Sequence, residues 1–297
     1  MEKIKHVLGL SGGKDSSALA LYMKEHYPEY EMEYFFTDTG YELDDTIEFI
    51  DQLEAKLGTT IHRLNEMSLN GIKGRGSLDF VELLKQKNNF LPSPLNRWCT
   101  ADLKLKPFEK WVDGFIAEGY KVRSYVGIRA DEPERTGFEA TDTDKPIESI
   151  FPFREDGIRK ADIKNILQSH GLDLPAYYEY RSRSGCKFCF YQRPIEWINF
   201  MERDPEGFAF AKHLEMGPDN LSPEGNRYYW MGKDKPLSTL EDPKRAQEIR
   251  DNHDAKKIQF YKKRRKNLLA VDENDNDMEN LDEMYDDISA GCNACHR

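Results

Sequence analysis

Short apolar runs alternate with longer amphipathic stretches over the first two-thirds of this chain. Residues 4–10 (Ile-Lys-His-Val-Leu-Gly-Leu) and 31–36 (Glu-Met-Glu-Tyr-Phe-Phe) read as strands, and 59–64 as a third. Between them, 16–26 carries Ala18, Leu19, Leu21 and Met23 at helical spacing, and 44–57 sets Ile47, Phe49, Ile50 and Leu53 on one broad face. A helix is predicted over 108–118 behind Pro107, a strand over 120–128, and a short helix over 161–170 that stops at Gly171. Residues 129–145 are polar and read as a loop, whereas 194–203 and the very polar 241–266 read as helices. This alternation predicts an α/β fold. It is a doubly wound, mostly parallel sheet of about five strands, with a smaller, mainly helical C-terminal part.

Composition narrows the class. The chain has 297 residues, 33% charged and 38% hydrophobic, with a formal net charge of −11. No apolar run reaches the roughly 20 residues that span a bilayer. The first residues lead straight into a strand, without the pattern of a secretory leader, so a cytoplasmic protein is expected. The overall acidity argues against broad, nonspecific nucleic-acid binding. The charge is nevertheless unevenly placed. Lys256, Lys257, Lys262, Lys263, Arg264, Arg265 and Lys266 form a basic block, with Phe260 and Tyr261 beside it. Residues 272–287 then hold nine Asp or Glu and no Lys or Arg. The basic block reads either as a nucleic-acid backbone contact or as a solvated helix face.

The most specific local pattern is Ser11-Gly12-Gly13-Lys14-Asp15-Ser16, between a predicted strand and a predicted helix. Gly12 and Gly13 let backbone amides approach phosphate oxygens, and Lys14 adds charge. Ser11 and Ser16 add hydroxyls, and the helix N-terminus adds a partial positive end. A Walker A loop is excluded, since Leu8 and Asp15 stand where that pattern needs Gly and Ser or Thr. A plain glycine turn is the bland alternative. Asp38-Thr39-Gly40, ending the second strand, belongs beside this loop at the carboxyl end of the sheet. There Asp38 is a candidate for ribose or Mg²⁺.

Five cysteines complete the inventory: Cys99, Cys186, Cys189, Cys292 and Cys295. Four of them form two C-x-x-C pairs, a pattern that in an intracellular chain points to metal, iron–sulfur or redox chemistry. A four-thiolate zinc site is one reading. Thiols without metal are another.

The loop resembles the S-G-G-x-D-S loop of the PP-loop ATP pyrophosphatase superfamily. Arg97-Trp98-Cys99-Thr100 with Lys104 and Pro107, Gly127-Ile128-Arg129 with Glu132 and Arg135, and Gly185-Cys186-Lys187-Phe188-Cys189 are similar, in that order, to the phosphoadenosine phosphosulfate (PAPS) reductase-like family. The likeness spans residues 4–200. It implies an adenine nucleotide alpha hydrolase-like fold that attacks the α-phosphate of ATP and releases pyrophosphate. The character is nearest to the DNA phosphorothioation sulfurtransferases. Iron–sulfur adenylyl-sulfate reductases carry C-C where this chain has Trp98-Cys99, which leaves Cys99, Cys186 and Cys189 as ligands of a [4Fe–4S] cluster with one open iron. Zinc is the alternative.

The resemblance implies nucleotide contacts from Ser11, Gly12, Gly13, Lys14, Asp15, Ser16, Asp38, Thr39, Gly40 and Gly127. It implies catalytic roles for Lys14, Asp15, Arg97, Arg129 and Cys295. The expected organisation is 1–190 for nucleotide and cysteine centre, 191–268 for helices, and 269–297 for an acidic mobile tail ending in C-x-x-C. The expected activity is ATP-dependent sulfur transfer to an acceptor oxygen, with ATP, Mg²⁺, a nucleic-acid acceptor and a cysteine desulfurase as donor. Two alternatives remain. One is a PAPS or adenylyl-sulfate reductase served by a thioredoxin-like reductant, and the other is a nucleotide-binding subunit without turnover.

Overall fold

The computed structural model describes residues 2–65, 79–135, 145–183, 185–216, 227–232 and 234–267. The expectations for Cys292, Cys295 and the 269–297 segment lie outside the described residues.

Five strands form one all-parallel sheet: β1 (Lys3–Leu10), β2 (Met32–Thr37), β3 (Ile61–Leu64), β4 (Tyr120–Tyr125) and β5 (Ile147–Ile150), in the order β3-β2-β1-β4-β5. Leu8 on the central strand faces Tyr34 on one side and Tyr125 on the other. Side chains alternate between the two faces of a strand, and the core splits accordingly. Leu8, Leu10, Tyr34 and Phe36 pack under α1 (Lys14–His26), α2 (Asp44–Leu57) and α7 (Lys160–Ser169). Val7, Phe35, Leu64 and Val122 pack against Phe108 and Val112 of α5 (Lys106–Ala117) on the opposite face. Helices on both faces of a parallel sheet are the predicted doubly wound arrangement.

Three departures have local causes. α1 begins at Lys14 rather than 16, directly at the glycine loop. α5 begins at Lys106, because Pro107 fits the first helical turn, where its missing N–H costs nothing. Trp98–Thr100 (α4) leads into it through a π-helical turn, Ala101–Leu105. β5 is an additional strand. It pairs only with β4 and is half-buried along its length, so its sequence (Ile-Glu-Ser-Ile) shows no strong alternation.

A third core gathers around aromatic rings. Phe80 of α3 (Phe80–Gln86) stacks on Trp98 with centroids 5.1 Å apart. Phe188, Trp197 of α8 (Pro194–Arg203) and Trp230 join this cluster, with Phe208 of α9 (Pro205–Met216). α6 (Pro152–Glu155) precedes α7, and α10 (Pro243–Asn267) closes the described chain. Ala246 and Ile249 of α10 pack on the aromatic core. Among the described residues, no helix is long and apolar enough to cross a membrane.

Candidate functional site

The phosphate loop sits where β1 meets β4 in the middle of the sheet. From that point the chain winds outward in both directions, so a crevice opens at the carboxyl ends of the strands. Gly12 adopts φ +72°, a conformation glycine takes without steric cost. A Cβ on Gly12 would collide with the Cγ2 of Thr46, which is fully buried on α2. Inside the loop, the Ser11 amide donates to Ser16 Oγ (3.2 Å), the Gly13 amide to Ser11 Oγ (3.3 Å) and Ser17 Oγ to the Gly13 carbonyl (2.9 Å). The α1 N-terminus has no side-chain cap from Gly13, and its first amide, that of Lys14, donates to the Tyr178 hydroxyl at 3.4 Å.

Lys14 and Asp15 are buried together, with Nζ and Oδ2 3.2 Å apart. Arg129 Nη1 donates to Asp15 Oδ1 at 2.7 Å, and its Nε to Asp131 Oδ1 at 3.0 Å. Glu132 accepts from the Arg129 amide (3.1 Å) and from Arg135 (2.6 Å). Burial works against the Arg129 charge, but Asp15, Glu132 and Asp131 outweigh it and hold the guanidinium more firmly protonated than usual. Arg129 thus braces the loop from behind. Gly127 approaches even closer, since a Cβ there would lie 3.0 Å from the Asp15 carbonyl oxygen.

At the end of β2, the Gly40 amide donates to Asp38 Oδ1 (2.8 Å), and the Thr39 carbonyl accepts from the Phe80 amide (3.0 Å), which seats α3. Asp38 lines a cavity of about 240 Å³ together with Asn65, Leu83, Lys87, Asp102 and Lys106. Lys87 and Lys106 both pair with Asp102 in its wall.

Residues 41–43 then run antiparallel to 185–187. The Leu43 amide donates to the Gly185 carbonyl (2.6 Å), and the Lys187 amide to the Tyr41 carbonyl (2.8 Å). This pairing lays Cys186 against Thr39 and Glu42. Thr39 Oγ1 donates to Glu42 Oε1 at 2.8 Å, and Cys186 Sγ donates to the same oxygen at 3.4 Å. Burial first and Glu42 second push the Cys186 thiol well above its usual range, while Lys104 and Thr39 pull the other way. Arg181, fully buried, donates Nη1 to the Cys186 carbonyl at 2.7 Å. Burial lowers the Arg181 pKa, opposed in part by Tyr180, Glu196, Cys189 and Cys186.

The structure therefore brings the predicted loop, Asp38–Gly40, Gly127, Arg129 and Cys186 to one end of the sheet. Cys189 lies close enough to act on the Cys186 charge. Arg97 is half-buried at the start of α4, and Cys99 packs against the aromatic core. Among the described residues, no three His, Cys, Asp or Glu side chains converge as metal ligands. Among the described residues, no disulfide joins Cys99, Cys186 or Cys189. A cluster takes thiolates, and Cys99, Cys186 and Cys189 are the described residues that would supply them.

Several site residues were not legible beforehand. Tyr177 donates its hydroxyl to the Gly12 carbonyl at 3.1 Å, and Tyr178 accepts the Lys14 amide at 3.4 Å. Thr46, Glu42 and Arg181 are the others.

Comparison with known proteins yields one decisive match. Residues 5–190 match the phosphoadenosine phosphosulfate reductase domain. An uncharacterized protein of Methanocaldococcus jannaschii is 33% identical over 135 residues, 44% of this chain and 24% of that protein. The chain thus spans about a quarter of that relative's length. An uncharacterized 37.8 kDa protein of Escherichia phage 186 is 25% identical over 289 residues, covering 83% of each. Among solved structures, the chain is similar to the phosphoadenylyl-sulfate (PAPS) reductase of Candida auris in its phosphate complex. The identity is 14%, the coverage 61% of this chain and 81% of that one, and the TM-score 0.44. It is also similar to the U34-tRNA thiolase NcsA of Methanococcus maripaludis with its [4Fe-4S] cluster, at 15% identity, 70% and 69% coverage, and a TM-score of 0.38. At this distance, chemistry does not carry over from either structure. The family match spans well over half of the chain, and it falls on the segment that holds the loop, Arg129 and the Cys186–Cys189 pair: the chain belongs to the phosphoadenosine phosphosulfate reductase domain family.

Proposed function

We propose that this chain is an ATP-dependent sulfurtransferase. The observation that carries the reading is the intact glycine loop, with the buried Lys14 and the start of α1 at the same end of the sheet as Cys186. Amides at a helix start, together with a buried lysine, suit a polyphosphate whose charge shifts during transfer. The cavity beside Asp38 takes the nucleoside, and Mg²⁺ enters with the phosphates.

An acceptor oxygen attacks the α-phosphorus, the α–β bridging P–O bond breaks, and pyrophosphate leaves with the electron pair. Persulfide sulfur on Cys186, loaded by a cysteine desulfurase, then displaces AMP and leaves the acceptor joined to Cys186 through a disulfide. Cys189 attacks Cys186 and releases the thiolated acceptor. The Cys186–Cys189 disulfide that results is reduced by a thioredoxin-like dithiol.

A nucleic acid suits the acceptor's place. Between Ala255 and Asn267, α10 carries seven Lys or Arg and no acidic residue. His253, just before this stretch, lies within electrostatic reach of Glu196 and Arg193, next to the segment that follows Cys189.

Family membership favours one rival, reduction of PAPS to sulfite. Pyrophosphate release from ATP and sulfite release from PAPS, measured side by side with a dithiol present, separate the two. Sulfur transfer predicts pyrophosphate that rises with added DNA or RNA and disappears in Lys14→Ala. Sulfite from PAPS without pyrophosphate from ATP would refute it, and so would ATP binding without turnover.

A further inference from the structure

Two tyrosines roof the glycine loop, and neither takes part in the proposed sulfur transfer. They lie on the 3₁₀ turn Ala176–Glu179 with their rings stacked, centroids 4.7 Å apart, and both are buried. Their hydroxyls converge on Gly13. A Cβ built there would stand 3.4 Å from the Tyr178 hydroxyl and 3.6 Å from that of Tyr177.

Their partners differ in kind. Tyr177 donates to the Gly12 carbonyl, which fixes the loop's shape. Tyr178 touches the other pole. Its oxygen accepts the amide of Lys14, the first residue of α1, and its ring lies 5.3 Å from the Lys14 ammonium. That amide is one of the helix-start donors to which anions bind. At 3.4 Å the bond to the hydroxyl is long, whereas charge-assisted bonds to phosphate oxygens run about 2.7–2.9 Å. A phosphate oxygen is thus the stronger acceptor for the amide. The phenol that the amide leaves can rotate its O–H toward the same oxygen while its ring stays packed on Tyr177.

We infer that Tyr178 is a phosphate-positioning residue: on nucleotide binding its hydroxyl gives up the Lys14 amide and donates to the phosphate oxygen that takes it. This rests on the proposal that the loop binds ATP, and it adds a ligand that comes from 164 residues away in sequence. The pairing also ties the occupied loop to the cysteine segment. The Arg181 amide bonds the Tyr177 carbonyl (2.9 Å), and the Arg181 side chain bonds the Cys186 carbonyl.

The test is calorimetric binding of ATP and of adenosine to the full chain and to Tyr178→Phe, with thermal melting to verify folding. Phenylalanine keeps the ring and removes one oxygen. The expected result is about tenfold weaker ATP binding, the loss of one charge-assisted hydrogen bond, with adenosine affinity unchanged. Adenosine carries no phosphate, so a merely structural role for Tyr178 would weaken both ligands. Equal weakening of the two, or unchanged ATP affinity in Tyr178→Phe, overturns the inference. Failure of the unsubstituted chain to bind ATP overturns both it and the functional proposal on which it rests.

Discussion

Thr46 is wedged between the two halves of the candidate site, and a mutant cycle can measure that wedge. Its Cγ2 stands where a Cβ on Gly12 would go, and its side chain also fills the space beside Gly185, whose carbonyl accepts Thr46 Oγ1 at 3.4 Å. Gly12→Ala pays twice. Placing an L-residue at φ +72° costs about 1–2 kcal/mol. Forcing a methyl against a fully buried threonine costs a further ~1–3 kcal/mol. Thr46→Ser deletes the obstructing methyl, keeps the hydroxyl, and by itself costs about 1 kcal/mol, as small core deletions do. The double variant retains the backbone cost and the lost methyl but not the collision. It should therefore be more stable than the sum of the singles by about 1–3 kcal/mol. Urea unfolding followed by circular dichroism at constant m-value reads each corner of the cycle. Additivity within about 0.5 kcal/mol would refute the wedge. So would Gly12→Ala matching the wild-type midpoint.

Two further predictions concern residues behind the site. Glu215 on α9 is fully buried and accepts the amides of Trp230 (2.8 Å) and Leu237 (2.7 Å). Burial lifts its pKa from 4.5 to about 7, against the pull of those two amides. Between these two pH values the native carboxyl keeps a proton that the unfolded chain has lost. Its contribution to stability is therefore full below pH 4.5 and falls as pH rises toward 7, by ~3 kcal/mol in all. Glu215→Gln should flatten that slope in unfolding curves taken from pH 4.5 to 7.5, and an unchanged slope would count against it. Arg181→Met should cost about 1–3 kcal/mol by stranding the carbonyl of Cys186, while the Lys187 carbonyl keeps its bond from Gln192. It should also raise the iodoacetamide labelling rate of Cys186 as read by mass spectrometry. Arg181→Lys should not restore the wild-type rate, since a point charge cannot reproduce the two-armed guanidinium.

The parts of this protein that could be read in advance share one property: their determinants are local. Phe49, Ile50 and Leu53 announce α2 because helix period and burial coincide within a few residues. Ser11–Ser16 announce the turn from β1 into α1 because a strand, two glycines and a helix start follow one another directly. β5 stayed hidden because an edge strand with one neighbour need not alternate, and Ile147–Ile150 does not. The cysteines show the same limit from the other side. The family resemblance placed Cys99, Cys186 and Cys189 in one ligand set. Eighty-six intervening residues do not determine a distance; the fold seats Cys99 against the aromatic core that holds Phe188, and Cys186 beside Glu42.

The roof and the wedge were invisible for a related reason. Tyr177 meets Gly12 across 165 residues and Thr46 meets Gly185 across 139, so no window along the chain contains either pair. Those long contacts are what make the loop and the cysteine segment one object. Gly12 is gripped by Thr46 from α2 and by Tyr177 from the turn before Cys186, and Gly185 lies against the same threonine. A displacement of the loop meets the cysteine segment through packed, buried atoms, and close-packed interiors transmit such displacements rather than absorb them. The family's two local signatures, the glycine loop and the cysteine pair, are therefore mechanically joined by residues that belong to neither.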